Sequence, residues 1–202
     1  MSQLLKIEDL TCRYDNEDII AGLSLTLNEG DIGCLLGPSG CGKSTILRAI
    51  AGFHPVSAGS ISLQNEVISS SNKSIAPEKR PVGMVFQDYA LFPHMTIAQN
   101  VGYGLHKLAS HKRKEKVSEM LELVNLSDLA NRYPHELSGG QQQRVSLARA
   151  MAPEPSLILL DEPFSNLDVE LRKRLSLDIR DILKSLNMTA ILVTHDQHEA
   201  FA

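Results

Sequence analysis

Nowhere in the 202 residues does an apolar run reach the roughly 18 residues that a membrane-spanning helix needs. The opening MSQLLKIEDL is too acidic, and its apolar stretch too short, for a secretory signal. Any role at a membrane must therefore come through a partner. Basic residues are not in excess either. Lys and Arg number 20 against 24 Asp and Glu, a formal net charge of −4, which argues against a nucleic-acid binder. Cysteine is sparse: Cys12, Cys34 and Cys41 are odd in number and form no CxxC pair. That disfavours a zinc site or a disulfide framework and fits reduced thiols in a cytoplasmic protein. No internal repeat is present.

What is there is a chain able to fold. Hydrophobic residues make up 43%, enough for a core in one domain or a domain with a subdomain. LLKIEDLTCRY and LSLTLNEGD alternate and are predicted as short strands around turns. Apolar runs at 32–36, 82–86, 157–160 and 190–194 are predicted as buried strands of a parallel sheet covered on both faces. Helical patterns lie between them, at 43–51 and at 169–186, where Leu171, Leu175, Ile179, Ile182, Leu183 and Leu186 share one stripe. Alternating strands and helices mean an α/β fold. From 88 to 152 strand signals fade. Val117, Met120, Leu121 and Val124 predict an amphipathic helix, another follows Ser138, and the stretch reads as an inserted helical subdomain. HKRK at 111–114 is predicted as the solvated start of a helix, and the Ser-rich ISSSNKS at 68–74 as a surface loop.

Residues 37–45 read GPSGCGKST, which fits GxxxxGK[ST] directly after a strand and before a helix. Gly37, Pro38, Ser39, Gly40, Cys41 and Gly42 let the backbone curl so that N–H groups point at phosphate oxygens, and the helix N-terminus adds partial positive charge. Lys43 supplies a full charge for the β- and γ-phosphates; Ser44, followed by Thr45, offers its hydroxyl to Mg²⁺. Residues 157–163 read LILLDEP. An apolar strand ending in two acids puts Asp161 at the carboxyl edge of the sheet, placed to hold Mg²⁺. Glu162, one residue on, is placed to face the attacking water as general base or positioning group.

LSGGQ at 137–141, followed by QQRVSLARAM, resembles the signature of the ABC transporter nucleotide-binding domains, and the whole chain follows that family's order of motifs. Ser138 is suited to cap a helix, while Gly139 and Gly140 let N–H groups approach an anion; an ordinary capped helix accounts for the serine but not for the glycine pair. The resemblance implies an α/β P-loop NTPase (RecA-like) core with a small antiparallel β subdomain and an inserted helical subdomain. It divides the chain into a core at 1–87 and 153–202 and a helical signature subdomain at 88–152. It implies that Ser138, Gly139, Gly140 and Gln141 bind the γ-phosphate of ATP held by a second copy of the chain. It implies that Tyr14 stacks on adenine, that Gln87 senses Mg²⁺ and water, that Asp168 in SNLD communicates across the dimer, and that His195 contacts the γ-phosphate.

The same resemblance implies an ATPase at the cytoplasmic face of the plasma membrane, serving transmembrane permease subunits and, through them, a periplasmic solute-binding protein. Phe92, Pro93 and Tyr103 are the expected contacts for the permease. QDYALFPHMTIAQNVGYGL resembles the importer ATPases for polyamines, sulfate, sugars and ferric iron, and the loop VISSSNKSIAPEKRPVG resembles the ferric iron group more than the others. The chain stops at Ala202, shortly after His195, where family members continue and this subclass adds a regulatory domain; the expectation is a C-terminally truncated domain with an open sheet edge. An ABC-type ATPase of DNA repair or of translation is the rival class. The first would carry a long coiled coil between Gln87 and Ser138, the second two such domains. A GTPase is opposed by the signature and by the failure of 72–75 (NKSI) to make NKxD.

Overall fold

The computed structural model describes residues 2–15 and 17–196. The expected short N-terminal strands are in fact two long ones. β1 (Gln3–Tyr14) and β2 (Glu17–Asn28) form an antiparallel hairpin whose pairing runs from Gln3 opposite Asn28 to Tyr14 opposite Glu17. Irregularities between Ile7 and Arg13 break its alternation, which is why the sequence pattern looks like separate pieces. β4 (Ala58–Leu63) and β5 (Glu66–Ser70) complete an antiparallel sheet in the order β2-β1-β4-β5.

The second sheet is parallel: β3 (Ile32–Leu36), β6 (Val82–Val85), β7 (Leu157–Asp161) and β8 (Thr189–Thr194), in the order β3-β8-β7-β6. Every residue of β7 and β8 is buried. β3 departs from the expected buried strand: among the described residues it pairs with β8 alone and lies at the sheet edge, where Cys34 and Leu36 are exposed. The inner strands feed two cores by strict alternation. Leu157, Leu159, Ile191 and Val193 pack on α1 (Lys43–Ala51) and the antiparallel sheet. Ile158, Leu160, Ala190 and Leu192 face the opposite way.

On that opposite face lie α2 (Ile97–Val101), α3 (Ser110–Leu123), α4 (Gly139–Met151) and α5 (Val169–Ser185). α3 starts with its HKRK run exposed and buries Val117, Met120 and Leu121. On α5, Leu175, Ile179 and Leu183 are buried, Leu171 and Ile182 pack beside them, and Leu186 falls outside the stripe, 41% exposed. The Ser-rich segment is a surface loop only in its second half. Ile68 and Ser69 belong to β5 and are buried, and Ser69 bridges back to Ser74. The cause is Arg80, which is buried and donates to both serine hydroxyls.

Candidate nucleotide site

Each parallel strand releases one of the expected site segments at its carboxyl end: β3 the 37–45 loop, β6 Gln87, β7 Asp161 and Glu162, and β8 His195. The register sets these ends side by side, with Leu36 opposite Thr194, Asp161 opposite Val193 and Val85 opposite Leu160. Ligands bind at this edge of such sheets because loops and helix N-termini converge there.

The loop turns into α1 through Gly42, whose φ of 92° is left-handed; a Cβ there would lie 2.5 Å from Ile20 Cδ1, so only glycine fits. Lys43 is buried, and its Nζ donates to the carbonyls of Gly37 and Pro38, each at 2.7 Å, with Cys41 Sγ at 3.7 Å. Ser39, Gly40 and Cys41 are exposed, Thr45 buried. Ser44 Oγ donates to Asp161 Oδ1 at 2.6 Å, so a hydroxyl and a buried carboxylate from segments 117 residues apart meet at one point.

Glu162 leaves β7 with φ 45°, a conformation rare for a residue with a side chain, while its N–H continues the ladder by donating to Val193 O at 3.1 Å. Its Oε2 lies 3.7 Å from His195 Nδ1, beyond hydrogen-bond reach. Gln87 is exposed, and its carbonyl accepts from Asn166 Nδ2 at 3.0 Å. Asp168 caps α5, accepting from Leu171 N–H at 2.9 Å. Tyr14 is 45% exposed at the end of β1, with its ring resting on buried His54 at 4.5 Å.

Ser138 caps α4 reciprocally with Gln141: Gln141 N–H donates to Ser138 Oγ, and Ser138 N–H to Gln141 Oε1. The glycine pair, which the sequence left without a packing reason, has one. A Cβ on Gly139 would stand 3.1 Å from Leu167 Cδ2, and one on Gly140 3.0 Å from Leu175 Cδ1, so α4 begins hard against α5 and the segment before it. Among the described residues, no hydrogen bond or ion pair joins 138–141 to the 37–45 loop. The chain brings Lys43, Ser44 and Asp161 together at one place and Glu162 beside His195, and leaves the signature and Asp168 apart from that cradle.

Beside the site, a groove of about 750 Å³ is lined by Phe53, Phe86, Phe92, Tyr103 and Arg149, among others. Phe92 and Tyr103 stack at 4.4 Å, and the Arg149 guanidinium sits 5.5 Å above the Phe92 ring. Tyr103 is 54% exposed, so its ring is surface rather than core. Pro93 is exposed but does not line the groove. No local pattern marks Asn166, His54 or Arg149, because their partners lie far away along the chain.

A phosphate loop, an acid meeting its serine and an acid–histidine pair, all at the carboxyl edge of a parallel sheet, define an α/β P-loop nucleotide-binding domain. The family model described as "ABC transporter" matches residues 20–165. The putrescine transport ATP-binding protein PotG of Escherichia coli (strain K12) is 49% identical over 99% of this chain and 52% of its own length. The Fe(3+) ions import ATP-binding protein FbpC of Photorhabdus laumondii is 46% identical over 98% of this chain and 56% of its own. The structure of cbiO1 from Clostridium perfringens, part of the ABC transporter complex cbiONQ, superposes with a TM-score of 0.87 at 30% identity, covering 97% of this chain and 80% of that one. The dimeric post-hydrolysis state of the ATP-binding cassette MJ0796, bound to ADP and Pi, superposes at 0.82 with 29% identity, over 98% and 90%. The chain belongs to the ATP-binding domains of the ABC transporter family. It spans about half the length of the curated relatives it matches.

Proposed function

We propose that the chain is the ATP-binding and ATP-hydrolysing part of a bacterial ABC importer, and that it works as an ATP-sandwich dimer. The observation that carries this is the meeting of Lys43, Ser44 and Asp161, with Glu162 and His195 alongside, at the end of the sheet. The Gly37–Thr45 backbone wraps the phosphates, and Lys43 exchanges its two carbonyls for the β- and γ-phosphate oxygens. The hydroxyl and carboxylate that meet at Ser44 and Asp161 are hard oxygen donors that suit Mg²⁺, with Gln87 as the further ligand. Bound there, Mg²⁺ supplies positive charge to the phosphate oxygens.

Water attacks the γ-phosphorus in line, the bond from that phosphorus to the β–γ bridging oxygen breaks, and ADP leaves opposite the attacking water. Glu162 takes its proton and His195 holds the γ-phosphate. Tyr14, backed by His54, stacks on adenine. Ser138, Gly139, Gly140 and Gln141 present a helix N-terminus to the γ-phosphate bound by the other copy, and Asp168 crosses the same interface. A twofold pairing is self-complementary, so each chain gives one cradle and one signature. The pairing is supported by the dimeric form of the ADP-bound relative.

In this reading 1–87 and 153–202 form the core, of which 1, 16 and 197–202 lie outside the described residues, and 88–152 form the signature subdomain. The aromatic groove takes the permease, which holds the chain at the cytoplasmic face of the plasma membrane, and a periplasmic binding protein delivers the solute. No helix among the described residues is long and apolar enough to cross a membrane. Nucleic acid is not a partner. For the solute, the loop at 67–83 favours ferric iron, and the putrescine relative supports a polyamine with equal weight; both are cations.

Glu162→Gln tests the chemistry. The variant is expected to bind ATP, accumulate as an ATP-bound dimer and lose turnover by about 10²–10⁴-fold. Full turnover would remove Glu162 from its role.

A further inference from the structure

Gly139, where α4 begins, is touched from two sides. A Cβ built on it would lie 3.1 Å from Leu167 Cδ2 and 3.6 Å from the phenol oxygen of Tyr89. Leu167 follows Asn166, which holds the carbonyl of Gln87, and Tyr89 lies two residues beyond that glutamine. The segments of Gln87, Gly139 and Asp168 therefore meet around one glycine.

Tyr89 is an unusual residue to find there. It is 7% exposed, and its hydroxyl is buried with no hydrogen-bond partner among the described residues; burial pushes its pKa up. A buried hydroxyl left unpaired is destabilising. Its backbone is strained as well: Tyr89 and Ala90 are successive left-handed residues, with φ 62° and 46°, a conformation that L side chains resist. α4 holds the pair in place. Ser146 Oγ donates to Tyr89 O at 3.0 Å, and Arg149 donates from Nη2 to Tyr89 O at 2.9 Å and from Nη1 to Ala90 O at 2.6 Å. The later turns of α4 thus grip the Tyr89 backbone, and the Tyr89 side chain returns to the first residue of the same helix, its phenol oxygen at van der Waals distance from where a Cβ on Gly139 would stand. Ala90 and Phe92 also line the aromatic groove. Strain and an unmet hydroxyl persist only where the surroundings enforce them, and such features gather at switching segments.

We propose that Tyr89 is a positioning residue whose side chain, its phenol oxygen set against Gly139, sets the first turn of α4 relative to Gln87 and the groove. It acts on the Gly139–Gly140 N–H groups, not on the nucleotide in its own chain's cradle, and it rests on the reading that those groups complete a second copy's ATP site.

The test uses the full-length protein with Glu162→Gln as the parent, so that dimers accumulate. Two quantities are read: ATP affinity of the monomer at dilute protein, and the ATP concentration that half-saturates dimer formation. In Tyr89→Leu the monomer affinity stays within about twofold while the ATP needed for pairing rises by about tenfold. Tyr89→Phe, which keeps the ring but removes the phenol oxygen nearest Gly139, falls between the parent and Tyr89→Leu in pairing, with monomer affinity unchanged. Pairing of Tyr89→Leu at the parent's ATP concentration overturns the assignment, as does an equal loss of both quantities in a folded variant. Should Tyr89→Leu fail to fold, Ser146→Ala decides: it releases one of the bonds on Tyr89 O, and a selective shift in pairing supports the assignment while its absence overturns it. A parent that binds ATP but never pairs would instead remove the two-copy reading, and the Tyr89 assignment with it.

Discussion

At the scale of single residues, Lys43 carries the argument. It is buried, and its ammonium is met by two backbone carbonyls, with no carboxylate in ion-pair range among the described residues. A cation held by neutral acceptors is poised for an anion, because the exchange for phosphate gains a full opposite charge. Lys43→Ala is expected to weaken ATP binding at least about tenfold, roughly 1.4 kcal/mol; unchanged affinity by equilibrium titration would contradict the cradle. Lys43, Ser44, Asp161 and Glu162 were legible because each sits in a contiguous run whose spacing states its chemistry. Tyr89 and Arg149 were not. Their bonds join residues 57 to 60 positions apart, and nothing local in DYALFPH marks a strained turn.

At the scale of elements, helix ends do the positioning. α4 starts with a capping box that the sequence LSGGQ announces. The glycine pair behind it also lets α4 close on Leu167 and α5, a requirement visible only once the neighbour is known. The far end of α1 is held by Arg80, which donates to the carbonyls of Ala49 and Ile50 at 3.0 and 2.7 Å and to Ile75 O at 2.7 Å. No carboxylate pairs with it among the described residues, and burial pushes its pKa down. A cation at a helix C-terminus is favourable, and five acceptors depend on this one side chain. Arg80→Leu is expected to cost about 2–4 kcal/mol, read as a lower midpoint in urea unfolding. An unchanged midpoint would show that water satisfies those acceptors equally well.

At the scale of the whole molecule, sheet order assembles the site. β3 is separated from β7 by β8 in space and by 120 residues of chain in sequence, yet the order β3-β8-β7-β6 aligns their carboxyl ends. The same arrangement leaves the aromatic groove open beside Gln87. Phe53 and Tyr103, 56% and 54% exposed, are large apolar rings facing water, as expected of a contact surface. If a permease docks there as proposed, the double substitution Phe53→Ala with Tyr103→Ala abolishes co-purification with it while leaving ATP affinity within about twofold, since both rings lie outside the cradle. Retained co-purification would move the docking site elsewhere.

The amino-acid order alone determined the α/β class, the phosphate loop, the acidic pair and the signature, since each is a short run whose backbone needs are local. It misjudged the hairpin, the edge strand and the Ser-rich segment, where irregular pairing, sheet position and a distant arginine decide the outcome. Only the tertiary structure decided which of these runs meet: Ser44 with Asp161, Glu162 with His195, and Tyr89 with Gly139. The physical reason is that such contacts follow from strand order and the packing of helices on the sheet, which no local pattern encodes.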